Sequence, residues 1–398
     1  EEDLGIEMAP HSTLVTYLNF LTTLMTGNYG KPGTQAMFTQ LAPVISIHKS
    51  RLDENGREVA IPRLPVTGAP IVSGLYPGSY LAEEILNEHP ERPRALIVES
   101  SNPVHSLPES ARMREAIRSL DFSLAVDVAM TETARECDYV LPASSTFEKW
   151  EATFFPRNFP RNIFYLRYPL FEPAPNTLSE AEIHARFIEA MGIFEPGELD
   201  ALHAAGAQGL EAYQAAFFTA MAQNPKITSL LSYVMYRTLG PHLGKGQAAT
   251  APLWGLCQMY VMKHSVEAAR AGWEGPDAGN RLFNALLASE TAVVIGESNY
   301  EEAFNRIPFP DNKLQMVIPE LLEELQTLRQ LEPLMDTTEE YPFALMAGGR
   351  RAYTANCILR DPRWAKGRDV TALTMNPQDG EKFSLPEGAM VRLETEAG

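Results

Sequence analysis

The chain has 398 residues, 45% hydrophobic and 21% charged, and its 51 acidic against 33 basic side chains leave a net charge of −18. That length predicts two to three domains with ample core, and the acidity argues against a nucleic-acid backbone or an anionic membrane as the main partner. Cys137, Cys257 and Cys357 are too scattered for a CxxC pair, a zinc spacing or a disulfide framework, and no apolar run approaches the roughly 20 residues of a membrane span.

So few cysteines fit a reducing compartment, and the expected location is cytoplasmic, or periplasmic if a leader precedes this sequence. The start at Glu1-Glu2-Asp3 lacks an initiator methionine, and Glu394–Gly398 reads as the middle of a β-rich element. Both suggest a piece of a longer protein.

In chain order, Ser12 is placed to cap a helix whose core face is Leu14, Leu18, Leu21 and Met25, ending at Gly27. The run from Gly27 to Gly33 reads as a tight, backbone-dominated loop. Residues 34–78 carry Pro43, Pro62, Pro65, Pro70 and Pro77 and predict a surface-wrapping connection. Tyr80–His89 predicts a helix.

A regular alternation follows. Ala95–Glu99 is an apolar run that predicts a buried strand. Ser106, Pro108 and Glu109 have the pattern of a capping box opening a helix with Met113, Ile117 and Leu120 inward. Phe122–Val126 predicts a second strand ending at Asp127. Thr131–Glu136 is a helical turn, and Tyr139–Leu141 predicts a third strand stopped by Pro142. Strand, helix, strand, turn, strand is the pattern of a parallel sheet. Ligands of such sheets bind beyond the carboxyl ends of the strands. Those ends here are polar: Ser100, Ser101 and Asn102; Asp127 and Thr131; then Ser144, Ser145, Thr146, Glu148 and Lys149.

Beyond the third strand, cations and aromatics interleave from Lys149 to Arg167. In so acidic a chain they suit diphosphate oxygens better than nucleic acid, and a solvated charged hairpin is the plain alternative. Ser179 and Glu182 form a capping box for a helix with Ile183, Phe187 and Met191 inward, closed by Gly192. Glu180 lies in its first turn, where a carboxylate favours the helix by itself. Helices are predicted at Leu199–Met221, Ile227–Leu239, Leu253–Ala271, Arg281–Ser289 and Leu314–Leu331, with no catalytic constellation among them. Thr291–Asn299 reads as a short strand and polar turn, a second place for a ligand loop. After a linker, Pro342–Met346 predicts a strand. Gly348, Gly349 and Arg350 follow, in a segment with six cations between Arg350 and Arg368 opposed only by Asp361. Glycines there let backbone amides approach an anion.

Ala95–Glu151 resembles the molybdopterin-dinucleotide oxidoreductases, the family of formate dehydrogenases, nitrate reductases and dimethyl-sulfoxide reductase. The resemblance is carried, in order, by the strand with Ser-Ser-Asn-Pro at 100–103, Asp-Val-Ala-Met-Thr-Glu-Thr-Ala at 127–134, Asp-Tyr-Val-Leu-Pro at 138–142 and Glu-Lys-Trp-Glu at 148–151. It implies an α/β fold: a parallel Rossmann-like sheet layered with helices over 1–194, a helical insertion over 195–334, and over 335–398 the start of a carboxyl-terminal β-barrel of double-psi type. The implied cofactor is bis-molybdopterin guanine dinucleotide with molybdenum or tungsten. A 4Fe-4S cluster, the metal's protein ligand and the catalytic residue are implied upstream of the matched region, so none is assigned here. Implied contacts are Glu7 in a loop approaching the pterin; Ser100, Ser101 and Asn102; Asp127 for the guanine edge, with Thr131 beside it; Lys149 and Glu180 for the dinucleotide; and Gly348, Gly349, Arg350, Tyr353, Thr354 and Asn356 from the barrel. Met8 stands where many members carry Gln, which removes a side-chain donor. The implied partners are a small-molecule substrate and an iron–sulfur or other electron-transfer protein. The alternative is a non-catalytic scaffold and electron wire such as the large cluster-carrying subunit of NADH dehydrogenase. An ordinary dinucleotide enzyme is disfavoured because no GxGxxG follows a strand.

Overall fold

A computed structural model describes residues 6, 10–42, 61–72, 74–154, 156, 158–307, 309, 311–328, 337–345 and 372–395. Glu7, Gly348, Gly349, Arg350, Tyr353, Thr354 and Asn356 lie outside the described residues, as do Met346 and the cation-rich 350–368 segment.

Helix α1 runs Ser12–Met25, but its cap is His11, in a left-handed conformation with no side-chain cap bond. Ser12 is therefore the first helical residue. Its buried face is Leu14 and Tyr17, and Met25 is 76% exposed. Tyr17 Oη donates to Met316 O at 2.5 Å, which turns that face toward the later chain. The predicted Tyr80–His89 helix is shorter: a 3-10 turn at Gly78–Tyr80 and then α2, Leu81–Ile85.

Strand β1 is Ala95–Glu99. Two helices follow it, α3 at Pro103–Ser106 and α4 at Ser110–Arg118, with Glu109 left-handed between them. Ser106 thus ends one helix instead of capping the next: its hydroxyl donates back to Asn102 O at 2.9 Å. Strand β2 is Phe122–Asp127 and β3 is Tyr139–Pro142. The sheet is parallel, in the order β1-β2-β3, with Ile97 beside Leu124 and Asp127 beside Pro142. One layer packs Leu96 with Ala82, Ile85, Met113 and Ile117 from α2 and α4.

Two short antiparallel pairs come next. Strand β4, Glu151–Ala152, pairs with β6, Leu166–Arg167. Between them lies β5, Arg161–Phe164, whose partner is distant in sequence. Helix α5, Glu180–Ala190, is capped by Ser179, whose hydroxyl accepts from Glu182 N. Only that half of the expected capping box forms, because the Glu182 carboxylate turns to Arg186, Tyr236 and Arg237. Ile183 and Phe187 pack on the other sheet layer against Leu124, Val126 and Leu141, whereas Met191 is 72% exposed.

The long helices predicted after residue 195 are broken into shorter ones: α6 at Asp200–Gln208, α7 at Leu210–Gln223, α8 at Pro225–Ser229, α9 at Leu231–Thr238, α10 at Ala251–Lys263, α11 at Ser265–Arg270 and α12 at Ala278–Ala288. Gly209, at φ 109°, separates α6 from α7, a backbone geometry that a side chain would strain. Trp254 on α10 is fully buried against Tyr213 and Phe217, and its indole N–H donates to Asn280 Oδ1 at 2.7 Å. Strand β7, Val293–Glu297, then pairs antiparallel with β5. Thr291–Asn299 thus holds the short strand its sequence predicts, followed by the polar pair Ser298 and Asn299. Helix α13, Pro319–Leu328, returns to α1, where Glu324 meets His11 at 2.6 Å. Residues 372–395 hold a short helix, α14 at Pro377–Lys382, capped by Asn376. No closed barrel forms among the described residues; the predicted Pro342–Met346 strand is irregular over 342–345.

A buried polar network joins the early and later chain. Asn162 Oδ1 accepts from Thr39 N and Oγ1, and Thr39 Oγ1 meets Tyr260 Oη at 2.6 Å. Asn162 Nδ2 donates to Ser298 Oγ at 3.1 Å, and Arg306 donates to Ser298 Oγ, Met37 O and Glu267, each at 2.7 Å. Such groups are tolerated inside because each finds a partner.

Candidate cofactor-binding edge

Parallel pairing places the carboxyl ends of β1, β2 and β3 side by side, roughly 5 Å apart by strand spacing. Ser100 leaves β1 at φ 51°, in the left-handed region, while its amide still bonds Val126 O at 3.1 Å. The chain therefore turns sharply at the last ladder bond. A non-glycine residue held there stores strain, and such strain gathers at ligand sites.

Asn102 and Thr131 are engaged inside the fold. Asn102 Oδ1 accepts from Thr133 N at 3.1 Å and Thr133 Oγ1 at 2.8 Å, and Nδ2 donates to Glu132 at 2.7 Å. These bonds pin the β1 tip to the β2 tip. Thr131 is buried and accepts from Ala134 N at 3.1 Å, closing the turn after β2. By contrast, among the described residues the Ser100 and Ser101 hydroxyls and one Asp127 oxygen take no protein partner. The other Asp127 oxygen accepts from Ala129 N at 3.2 Å, which orients the carboxylate. Sequence reading passed over Thr133, which bonds both Asn102 and Val104 N. Its place in the Met-Thr-Glu-Thr-Ala run was the available signal.

Helix α5 gathers the outer tips. Leu178, just before it, bonds across to β3, with Ser144 N donating to Leu178 O at 2.9 Å. Glu180, in its first turn, ion-pairs with Lys149, and His184, one turn on, meets Glu99 at the end of β1 at 2.6 Å. Lys149 also stands 3.6 Å from Glu151. Glu151 in turn holds Arg167 and accepts from Thr146 Oγ1 at 2.7 Å. On that flank a groove of about 450 Å³ is lined by Phe147, Tyr168 and Leu170, with Arg167 and Glu290 as charges. The structure thus brings together the residues expected from the three tips and Glu180. No three or more His, Cys, Asp or Glu side chains are clustered to hold a metal among the described residues. Cys257 is fully buried, and burial pushes its thiol well up, away from the reactive thiolate.

The arrangement is that of an α/β protein with a polar carboxyl edge on a parallel sheet, the place where such sheets take their ligands. Comparison with known proteins names the class. The sequence model "Molybdopterin oxidoreductase" matches residues 4–155, which include all three strands and their tips, so that stretch of the chain is similar to that family. It is 22% identical over 302 residues to the probable oxidoreductase YoaE of Bacillus subtilis, covering 75% of this chain and 35% of that protein. Against the probable oxidoreductase YyaE of the same organism the identity is 28% over 169 residues, covering 42% and 23%. Against the F420-dependent formate dehydrogenase subunit alpha of Methanocaldococcus jannaschii it is 32% over 109 residues, covering 27% and 16%. The chain therefore spans about a third or less of the length of these relatives.

Proposed function

We propose that this chain is part of the catalytic subunit of a molybdenum- or tungsten-pterin oxidoreductase, and that the β1–β3 carboxyl edge holds the guanine-dinucleotide end of the cofactor. The observation that carries this reading is the set of polar groups at adjacent strand tips, without partners among the described residues, within the segment matched by the family model. They fit the group chemically. The Asp127 oxygen without a partner among the described residues, with the oriented one beside it, suits the N1–H and N2–H of guanine. The Ser100 and Ser101 hydroxyls suit phosphate oxygens, and Lys149 supplies charge where a chain of net −18 would otherwise repel an anion. Asn102 and Thr131 shape this edge from within. Glu7 and the Gly348, Gly349, Arg350, Tyr353, Thr354 and Asn356 set of a double-psi barrel complete the proposed contacts.

When bound, the cofactor supplies two-electron redox or oxygen-atom chemistry on a small substrate. The residues here bind and orient it. The 4Fe-4S cluster and an iron–sulfur electron-transfer partner belong to the same proposal for the whole protein. Asp127→Ala in the full-length protein tests the edge. Bound guanine nucleotide, released by denaturation and quantified against protein, falls several-fold if Asp127 reads the base. Unchanged occupancy removes the assignment.

A further inference from the structure

Lys149 is the cation that this reading aims at a diphosphate, yet the fold already occupies it. Its side chain is only 16% exposed and lies between Glu180 and Glu151. The two carboxylates are not equivalent. Glu151 is tied to Arg167 and to Thr146 Oγ1, so its position is set by groups other than Lys149. Glu180 makes its one side-chain bond among the described residues to Lys149. Its backbone is fixed in the first turn of α5, whose cap runs through Ser179 and Glu182. The Glu180 side chain is therefore free to swing off Lys149 without breaking any other described contact, and that of Glu151 is not.

We propose that Glu180 is an internal competitor for the anionic ligand: it neutralises Lys149 when no diphosphate is bound and is displaced when one arrives. This rests on the reading of the carboxyl edge as a dinucleotide site, and it assigns Glu180 a role of opposite sign to a ligand contact. A carboxylate that must be displaced, and that then repels the incoming phosphates, weakens binding. It also keeps a lone cation from collecting stray anions, which makes occupancy depend on the guanine contact at Asp127 as well as on charge.

The test is equilibrium binding of GDP to the full-length protein prepared without cofactor. The proteins are wild type, Glu180→Gln, Lys149→Met, the Glu180→Gln/Lys149→Met double variant, and Glu211→Gln, which removes an equal charge from an exposed site on α7. Removing the competing carboxylate is expected to tighten GDP about fivefold, which corresponds to roughly 1 kcal/mol. Glu211→Gln leaves affinity unchanged, and the gain vanishes in the double variant. Glu180→Ala gives the same direction and replaces Glu180→Gln should the latter not fold. If wild type binds GDP and removal of the Glu180 charge leaves affinity equal or weaker, the competitor role is wrong and the dinucleotide reading stands. If neither wild type nor Glu180→Gln binds GDP, both fall.

Discussion

At the scale of single residues, the candidate edge separates side chains that shape it from those left to meet a ligand. Asn102 directs its amide oxygen to Thr133 and its amide nitrogen to Glu132, so Asn102→Ala is expected to act through the fold, whereas the proposed guanine contact predicts that Asp127→Ala acts through occupancy. Glu182 shows how strongly the fold uses carboxylates nearby. Burial opposes its ionisation, but hydrogen bonds from Arg237, Arg186 and Tyr236 outweigh this and bring it down to about 2. Tyr236, half-buried and donating to Glu182, is pushed up to about 12. Because the folded Glu182 sits below its unfolded value of 4.5, its stabilisation is complete above that pH and is lost as pH falls toward 2. Discounted for its partial exposure, the contribution is about 2 kcal/mol. Glu182→Gln is therefore expected to lower stability by that order at pH 7 and to flatten the acid limb between 4.5 and 2, read by urea unfolding across pH.

At the scale of elements, α5 and β7 decide what lies beside what. Helix α5 reaches one flank of the edge through Glu180 and the other through His184. Its sequence announced a capped amphipathic helix but not these partners, which lie 31 and 85 residues away. Strand β7 carries Gly296, where an added Cβ would stand 2.1 Å from Tyr260 Oη. That hydroxyl holds Thr39, and Thr39 holds Asn162 on β5. Gly296→Ala is thus expected to cost about 1–3 kcal/mol by overpacking, read as a lower urea midpoint with an unchanged slope. A midpoint within error of wild type would show that the network yields without cost.

At the scale of the whole molecule, the central question is what the assembled protein carries. Metal analysis of the full-length protein is expected to find molybdenum or tungsten in proportion to protein, with guanine nucleotide released on denaturation. Iron without either metal would favour the scaffold and electron-wire alternative. None of the helices among the described residues is long and apolar enough to cross a membrane. The tight seam at Thr39, Asn162, Tyr260, Ser298 and Arg306 makes the helical segment a packed neighbour of the early chain, since β5 and β7 share a sheet.

Local pattern by itself determined the strands β1, β2 and β3, their parallel order and their polar ends, because apolar runs, turn residues and caps act over a few positions. It also carried the family resemblance, which rests on ordered short runs. It placed the α5 cap at Ser179 but misplaced those at Ser12 and Ser106, where a left-handed neighbour, His11 or Glu109, starts the helix instead. Only the tertiary structure decided which polar tips stay free and which are consumed: Thr133 taking Asn102, Glu180 taking Lys149, and Tyr260 reaching Thr39. The physical reason is that a hydrogen bond or ion pair is a property of two sites, and its partner, tens to hundreds of residues distant, is chosen by packing and not by local spacing.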